Sequence, residues 1–257
     1  MALSVITVPC LSDNYAFIIR CTDTGITAVV DAPEASPILT ELEKQQWGLD
    51  LILITHHHSD HIDGIDKLKD TTGAKIIGAK LDKHRLPFLN TAVVEGDTIS
   101  IGNSNAKVIN TSGHTMGHIS FYFNNDHKIF SGDSLMALGC GRIFEGTPEI
   151  MWNTLKKFMA LPPKTMIYSG HEYTANNAKF ALSIDPTNKR LVERAQTIKT
   201  LRIKNKYTVP SMLELEMATN PFLRSSIPSF KELFGMNGSS AVEVFTKVRI
   251  LKDNFKS

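Results

Sequence analysis

Cysteine is scarce in this 257-residue chain: Cys10, Cys21 and Cys140 are the whole set, and none belongs to a Cys-x-x-Cys pair. An odd, sparse set argues against a disulfide framework and for a reducing compartment. Cys10 and Cys21 read as small buried apolar residues. Long apolar runs are also missing, and nothing approaches the roughly 20 residues that span a bilayer. The opening Met1-Ala2-Leu3-Ser4 has no basic segment, and Pro9 and Asp13 break the apolar stretch behind it. It does not read as a secretory signal, so the expectation is a soluble cytoplasmic protein. No charge of one sign dominates: the net charge of +2 implies by itself no polyanion partner. The 16 glycines and 11 prolines are ordinary numbers and exclude wholesale disorder. No short-period repeat or low-complexity tract is present. With 42% hydrophobic residues, the chain can build one large domain, or one domain and a smaller appendage.

The charge is unevenly spread. Residues 1–171 hold 14 basic and 18 acidic residues, a balance of −4, and residues 172–257 hold 14 and 8, a balance of +6. A basic carboxy-terminal part can draw an anion toward a site built by the rest, or it can be a solvated helical surface. The two parts also differ in texture. Up to residue 171, short apolar runs alternate with turns. Strands are expected at Ser4–Val8, Tyr15–Cys21, Ile26–Asp31, Leu51–Thr55, Ala74–Ile77, Thr98–Ile101, Lys107–Asn110, Ile119–Phe123, Lys128–Ser131 and Thr165–Ser169. Helices are expected at Ser36–Trp47, Asp60–Asp70 and Pro148–Leu161. After residue 171 the pattern is helical, at Tyr173–Ile184, Asn188–Lys206 and Ala241–Phe255. The composition thus reads as a mixed α/β domain over 1–171 and an α-helical domain over 172–257.

What the chain does have is histidine in one place. Four of its nine histidines fall in Thr55-His56-His57-His58-Ser59-Asp60-His61, directly after the apolar run Leu51-Ile52-Leu53-Ile54. Imidazole and carboxylate are ligands that zinc and similar metals favour, and a strand end is a rigid mount. His114, Asp133 and His171 each follow an expected strand as well, so all these groups fall on loops where a site can assemble. The pattern supplies enough ligands for two adjacent ions. His57 is flanked by two ligands in an extended segment and is expected to face away. His84 and His127 read as surface residues, and His118 as at most a neighbour of the site. Seven His/Asp groups without cysteine argue against a closed structural metal site, which is usually cysteine-rich. Cys140, between two glycines, has no dedicated base and is not expected to be a nucleophile. No basic nucleic-acid module is visible.

These residues carry a resemblance. The chain resembles the metallo-β-lactamase superfamily through Thr55–His61, His114, Asp133 and His171, and within it looks like the glyoxalase II, or hydroxyacylglutathione hydrolase, family. The narrowing segments are Gly113–His118, Gly132–Leu135, Gly139-Cys140-Gly141-Arg142-Ile143-Phe144-Glu145-Gly146, Gly170–Thr174, Asn220–Arg224 and Arg249–Asp253. The resemblance implies a four-layer αββα sandwich of the α/β (α+β) class over 1–171. An α-helical domain that helps bind glutathione follows over 172–257. It implies that one metal takes His56, His58 and His114, a second takes Asp60, His61 and His171, and Asp133 bridges both. Asp60 and Asp133 are then the catalytic carboxylates, acting with a metal-bridging hydroxide. Substrate contacts map to Arg142, Phe144, Tyr173, Arg249 and Lys252.

The implied activity is hydrolysis of S-(2-hydroxyacyl)glutathione, with S-D-lactoylglutathione giving glutathione and D-lactate as the second step of methylglyoxal detoxification. Two divalent ions are implied, zinc by default, with iron or manganese as alternatives. The small-molecule thioester is the expected partner, with no nucleic acid, membrane or obligate protein partner. Rival activities on the same scaffold are a lactonase, a β-lactamase-like hydrolase and a glutathione persulfide dioxygenase. The chain departs from many relatives at three places: Asp63-Gly64 stands where Gly-Gly is common, Arg142 where some have Lys, and Phe144 where Tyr is frequent.

Overall fold

Apolar runs punctuated by turn residues set the strands. In a computed structural model, residues 3–256 are described. The chain divides into two compact units, Met1–Thr111 with Thr115–Gly132, and Ser112–His114 with Asp133–Ser257.

The first unit opens with β1 (Leu3–Cys10), β2 (Asn14–Cys21), β3 (Thr27–Val30), α1 (Ala35–Gln45) and β4 (Leu51–Leu53). Next come α2 (Ser59–Ile62), α3 (Ile65–Thr72), β5 (Lys75–Ala79) and β6 (Thr91–Val93). The six strands form one sheet in sequence order. It is antiparallel from β1 to β3 and parallel from β3 to β6. Then β7 (Thr98–Ile101), β8 (Ser104–Asn110), β9 (Ile119–Phe123) and β10 (Lys128–Gly132) form an antiparallel meander. Strand β2 shows how the layers are specified. Ala16 and Ile18 join Ile38 and Leu42 of α1 and Ile65 and Leu68 of α3 in one core. Phe17, between them, points to the opposite face and meets Phe130 of β10 at 5.6 Å between ring centroids. A strand covered by helices on one face and a second sheet on the other is apolar through its centre, as residues 15–19 are here.

The single helix expected over Asp60–Asp70 is instead two. Ala32 N–H donates to His61 O and Gly64 N–H donates to Ala32 O, each at 2.8 Å. These tertiary bonds take backbone groups that a continuous helix would satisfy internally. Strand β6 has no counterpart in the sequence pattern: Thr91–Val93 is as short as β4 but lacks the continuous apolar run Leu51-Ile52-Leu53-Ile54 that marked that strand.

The second unit holds β11 (Leu135–Met136), β12 (Gly139–Cys140), α4 (Pro148–Met159), β13 (Met166–Ser169), α5 (Thr174–Ile184) and α6 (Lys189–Ile203). After them come β14 (Ser211–Met212), α7 (Leu213–Thr219), α8 (Pro228–Glu232) and α9 (Ala241–Asp253). Side chains of Thr147 and Asn188 cap α4 and α6, and Ser240 with Glu243 forms a capping box on α9. Buried Glu216 pairs with Arg194 and accepts from Leu138 N–H at 2.8 Å and Asn220 Nδ2 at 3.1 Å. Asn220 Nδ2 also donates to Met136 O at 3.2 Å and Gly139 O at 3.0 Å. The Asn220 segment thereby fixes the β11–β12 hairpin, which leads into Gly141 and Arg142. Among the described residues, no helix is long and apolar enough to cross a membrane.

Candidate metal centre

Parallel strands β3 and β4 end side by side, and the residues just beyond the two ends bond to each other. Asp31, directly after β3, is buried at φ 57°, a left-handed conformation that Asp tolerates better than most residues. Its carboxylate accepts from Thr55 N–H, Thr55 Oγ1–H and His61 Nδ1–H, each at 2.8 Å. These bonds set the tautomers of two histidines. Thr55 spends its hydroxyl proton on Asp31, so Thr55 Oγ1 accepts from His56 Nδ1–H at 3.0 Å. The lone pair of His56 therefore lies on Nε2, which faces His58 Nδ1 at 3.1 Å. His61 likewise carries its lone pair on Nε2, 3.8 Å from Asp60 Oδ2. Asn14 Nδ2 holds Asp60 by its backbone carbonyl at 2.8 Å and by Oδ2 at 3.0 Å. A ring lone pair turned onto a carboxylate is repulsive until a cation lies between them.

The second unit repeats this logic. His114 Nδ1–H donates to the Arg142 carbonyl at 2.7 Å, leaving Nε2 3.6 Å from Asp133 Oδ2. His171, just after β13, brings its Nε2 to 3.2 Å from the same oxygen. Gly141 makes the first contact feasible: a Cβ there would lie 2.1 Å from Asp133 O and 2.8 Å from His114 Nδ1. Among the described residues, three groups could hold a metal ion: His56 with His58 and His114, His56 with His61 and Asp133, and Asp60 with His61 and His171. Each of the seven ligand candidates read from the sequence belongs to at least one group. A His/Asp donor set whose outer ring nitrogens are held by a carboxylate, a hydroxyl and a carbonyl fits divalent metal ions.

The other histidines fall outside these groups. His118 is fully buried and stacks on His56, with ring centroids 4.8 Å apart. His84 is exposed, and exposed Asp63 belongs to no group either.

The expected substrate residues differ in availability. Phe144 is 60% exposed, and its ring stands edge-on to His114 at 5.2 Å. Tyr173 stacks on His171 at 4.6 Å. The exposed Arg142 side chain lies 3.4 Å from Asp253 Oδ1. Arg249 is only 7% exposed. Its Nη1 donates to Cys140 O at 2.9 Å, and its Nε and Nη2 donate to Asp253 Oδ1 at 3.1 and 2.8 Å. Asp253 thus joins two arginines that the sequence presented only as substrate contacts. Lys252 Nζ lies over the Phe180 ring at 5.3 Å and Arg249 over Phe222 at 4.9 Å, and those two rings stack. The two cations share a helix face, as their spacing predicts. Burial, and then the Arg249 charge, pulls Lys252 down to about 8. Burial pushes the Cys140 thiol up to about 11 against the opposing pull of Arg249. A thiol that stays protonated at neutral pH is a poor nucleophile.

Sequence reasoning missed Asp31, Asn14 and Asp253. Asp31 left one faint signal, a carboxylate directly after the apolar Ala28-Val29-Val30 run.

Comparison with known proteins narrows the reading. The family model described as "Metallo-beta-lactamase superfamily" matches residues 14–171, and "Hydroxyacylglutathione hydrolase C-terminus" matches 172–255. A protein of Ruegeria pomeroyi named hydroxyacylglutathione hydrolase is 52% identical over 255 residues, covering 99% of this chain and 100% of its own. Among solved structures, the BLEG-1 B3 metallo-beta-lactamase aligns with a TM-score of 0.67 at 21% identity, over 86% of this chain and 99% of its own. ETHE1 from Myxococcus xanthus aligns with a TM-score of 0.67 at 22% identity, over 100% of this chain and 92% of its own. The fold is the metallo-β-lactamase α/β sandwich, followed by a carboxy-terminal helical region.

Proposed function

Because the chain belongs to the hydroxyacylglutathione hydrolase family of the metallo-β-lactamase superfamily, we propose that it hydrolyses S-(2-hydroxyacyl)glutathione, with S-D-lactoylglutathione yielding glutathione and D-lactate. It is a metal-dependent thioester hydrolase. His56, His58 and His114 would hold one ion, Asp60, His61 and His171 the second, and Asp133 would serve both. The observation that carries this reading is Asp133 itself: one carboxylate oxygen lies within 3.6 Å of a ring nitrogen from each set, His114 and His171. When bound, the ions supply a water acidified from a pKa of about 15.7 to about 7 and a Lewis acid for the thioester carbonyl. The protein's own part is to place the donors and keep their lone pairs turned inward, through Asp31, Thr55 and the Arg142 carbonyl. The leaving group is a thiolate, stable enough that no protein acid is needed. Zinc is the default metal for this donor set.

Residues 1–171 form the catalytic domain and residues 172–257 the glutathione-binding domain, acting in the cytoplasm on a small-molecule substrate. Glutathione carries two carboxylates and one ammonium. Arg142, Arg249 and Lys252 supply charge for a carboxylate, and Phe144 and Tyr173 supply surface beside His114 and His171. The test tracks the thioester absorbance of S-D-lactoylglutathione with purified protein before and after chelation, with metal assayed on the same sample. Chelator-sensitive hydrolysis with two metals per chain is expected. No hydrolysis from the fully metallated protein would turn the search to lactones, β-lactams and persulfides.

The Lys252 role has a pH signature. Lys252 is charged below about 8 and neutral above it, so its pull on a carboxylate fades as pH rises through that value. KM should rise on the order of fivefold across that step, the worth of a pair of about 1 kcal/mol, with kcat little changed. Lys252→Arg, charged throughout, should flatten the profile. A wild-type KM that is level through this window removes Lys252 from the carboxylate site.

A further inference from the structure

We propose that Asp82 is a positioning residue for the metal-binding loop, acting through His57; the inference rests on the metal-dependent reading above. His57 stands between His56 and His58 yet belongs to no group that could hold an ion. The structure gives the reason. Its Nδ1 donates to Asp82 Oδ2 at 3.0 Å, and Arg85 Nη1 lies against the ring, 2.9 Å from Nε2 and 3.2 Å from Nδ1. The ring is held between a carboxylate and a guanidinium, so it is an anchor for the chain between two ligand candidates. The Asp82 side chain is only 2% exposed, and Arg85 Nη1 lies 3.8 Å from its other oxygen. A carboxylate this deeply buried is retained only when charge and hydrogen bonds compensate its desolvation.

Two further observations separate this role from local turn-making. The turn after β5 is held by the Asp82 backbone carbonyl, which accepts from Arg85 N–H and Leu86 N–H at 2.8 Å. Any residue would keep those bonds, so the carboxylate is not needed for them. It is instead pressed against the backbone of Gly117, where a Cβ would fall 2.1 to 2.3 Å from the Asp82 carboxyl atoms. Gly117 precedes His118, whose ring stacks on His56 with an interplanar angle of 24°. Two contacts of Asp82 are therefore each one residue from something that bears on His56: His57 along the chain, and Gly117, whose neighbour His118 stacks on the ring. Partners hydrogen-bonded directly to metal ligands typically tune affinity 10–100-fold, and Asp82 acts one residue further out, so the low end of that range is expected.

The test uses the full chain loaded with zinc and measures zinc release to a chromophoric chelator alongside steady-state kinetics. Asp82→Asn is expected to speed release on the order of tenfold and to lower kcat with KM unchanged. His57→Gln should do the same, and the double variant should do no more than either single change, the mark of two residues acting as one unit. Gly117→Ala displaces the carboxylate without changing charge and should also speed release, which keeps the idea testable if Asp82→Asn folds poorly. Wild-type release in Asp82→Asn or in Gly117→Ala, or effects of Asp82→Asn and His57→Gln that multiply, would overturn the proposal. If the wild type holds no zinc and does not hydrolyse the thioester, the parent reading fails with it. Two ions and full turnover in both wild type and Asp82→Asn defeat this proposal alone.

Discussion

Asp133→Ala is expected to lower turnover of S-D-lactoylglutathione by on the order of a thousandfold or more, since loss of an outer partner alone costs 10–100-fold. Metal content should fall from two ions per chain to one or fewer. The reason is both geometric and electrostatic. One Asp133 oxygen lies beside the Nε2 atoms of both His114 and His171, so on the proposed assignment its removal takes a ligand from each set at once. Two divalent cations held close repel four times as strongly as two unit charges at the same distance, and a shared carboxylate is the local anion that offsets this. Asp133→Asn keeps a neutral oxygen in place and should fall between Ala and wild type. The melting temperature of the metal-free Asp133→Ala protein should stay near that of the metal-free wild type. Metal analysis, kinetics and thermal melting on the same preparations check this. Wild-type turnover in Asp133→Ala would remove the shared-ligand assignment.

The sequence made some of this legible and hid the rest for identifiable reasons. The seven ligand-type residues stood out because histidine is rare elsewhere in the chain and each group comes after an apolar run. Strand β2 was readable from its apolar run, but its layering was implied only by the resemblance, and Ala16, Phe17 and Ile18 show in the fold how the two faces are buried. Strands β6, β11, β12 and β14 have only two or three residues and show no period. The break between α2 and α3 depends on Ala32, some 30 positions away, so no local pattern announces it. The Arg249 and Lys252 spacing predicts a shared face, but nothing local says that Arg249 is buried on Cys140 and shares Asp253 with Arg142. Asp31 is the plainest case. It is one acidic residue among 18 in residues 1–171, and its role arises only because β3 pairs in parallel with β4 and brings it to Thr55.

Asp31→Asn is therefore the second large effect, and it should differ in kind from Asp133→Ala. Asn accepts the left-handed backbone at this position, so the chain path should survive. What changes is the hydrogen-bond inventory. Three donors converge on the two Asp31 oxygens, and the amide replaces one of those oxygens with a donor. If the remaining oxygen keeps Thr55 N–H, the amide faces Thr55 Oγ1 and His61 Nδ1. Buried donors left unmatched cost about 1–3 kcal/mol each, so the metal-free protein should melt measurably lower. The tautomers also come unset. His61 no longer has an acceptor for its Nδ1–H, and a proton on Nε2 blocks the nitrogen that faces Asp60. Metal affinity should drop 10–100-fold. All seven candidate ligand side chains remain, however, so saturating zinc should carry turnover back toward wild type, whereas excess zinc should not rescue Asp133→Ala. Zinc titration of kcat in the two variants tests the difference. An Asp31→Asn protein with wild-type zinc affinity would show that the carboxylate behind His61 serves only the fold.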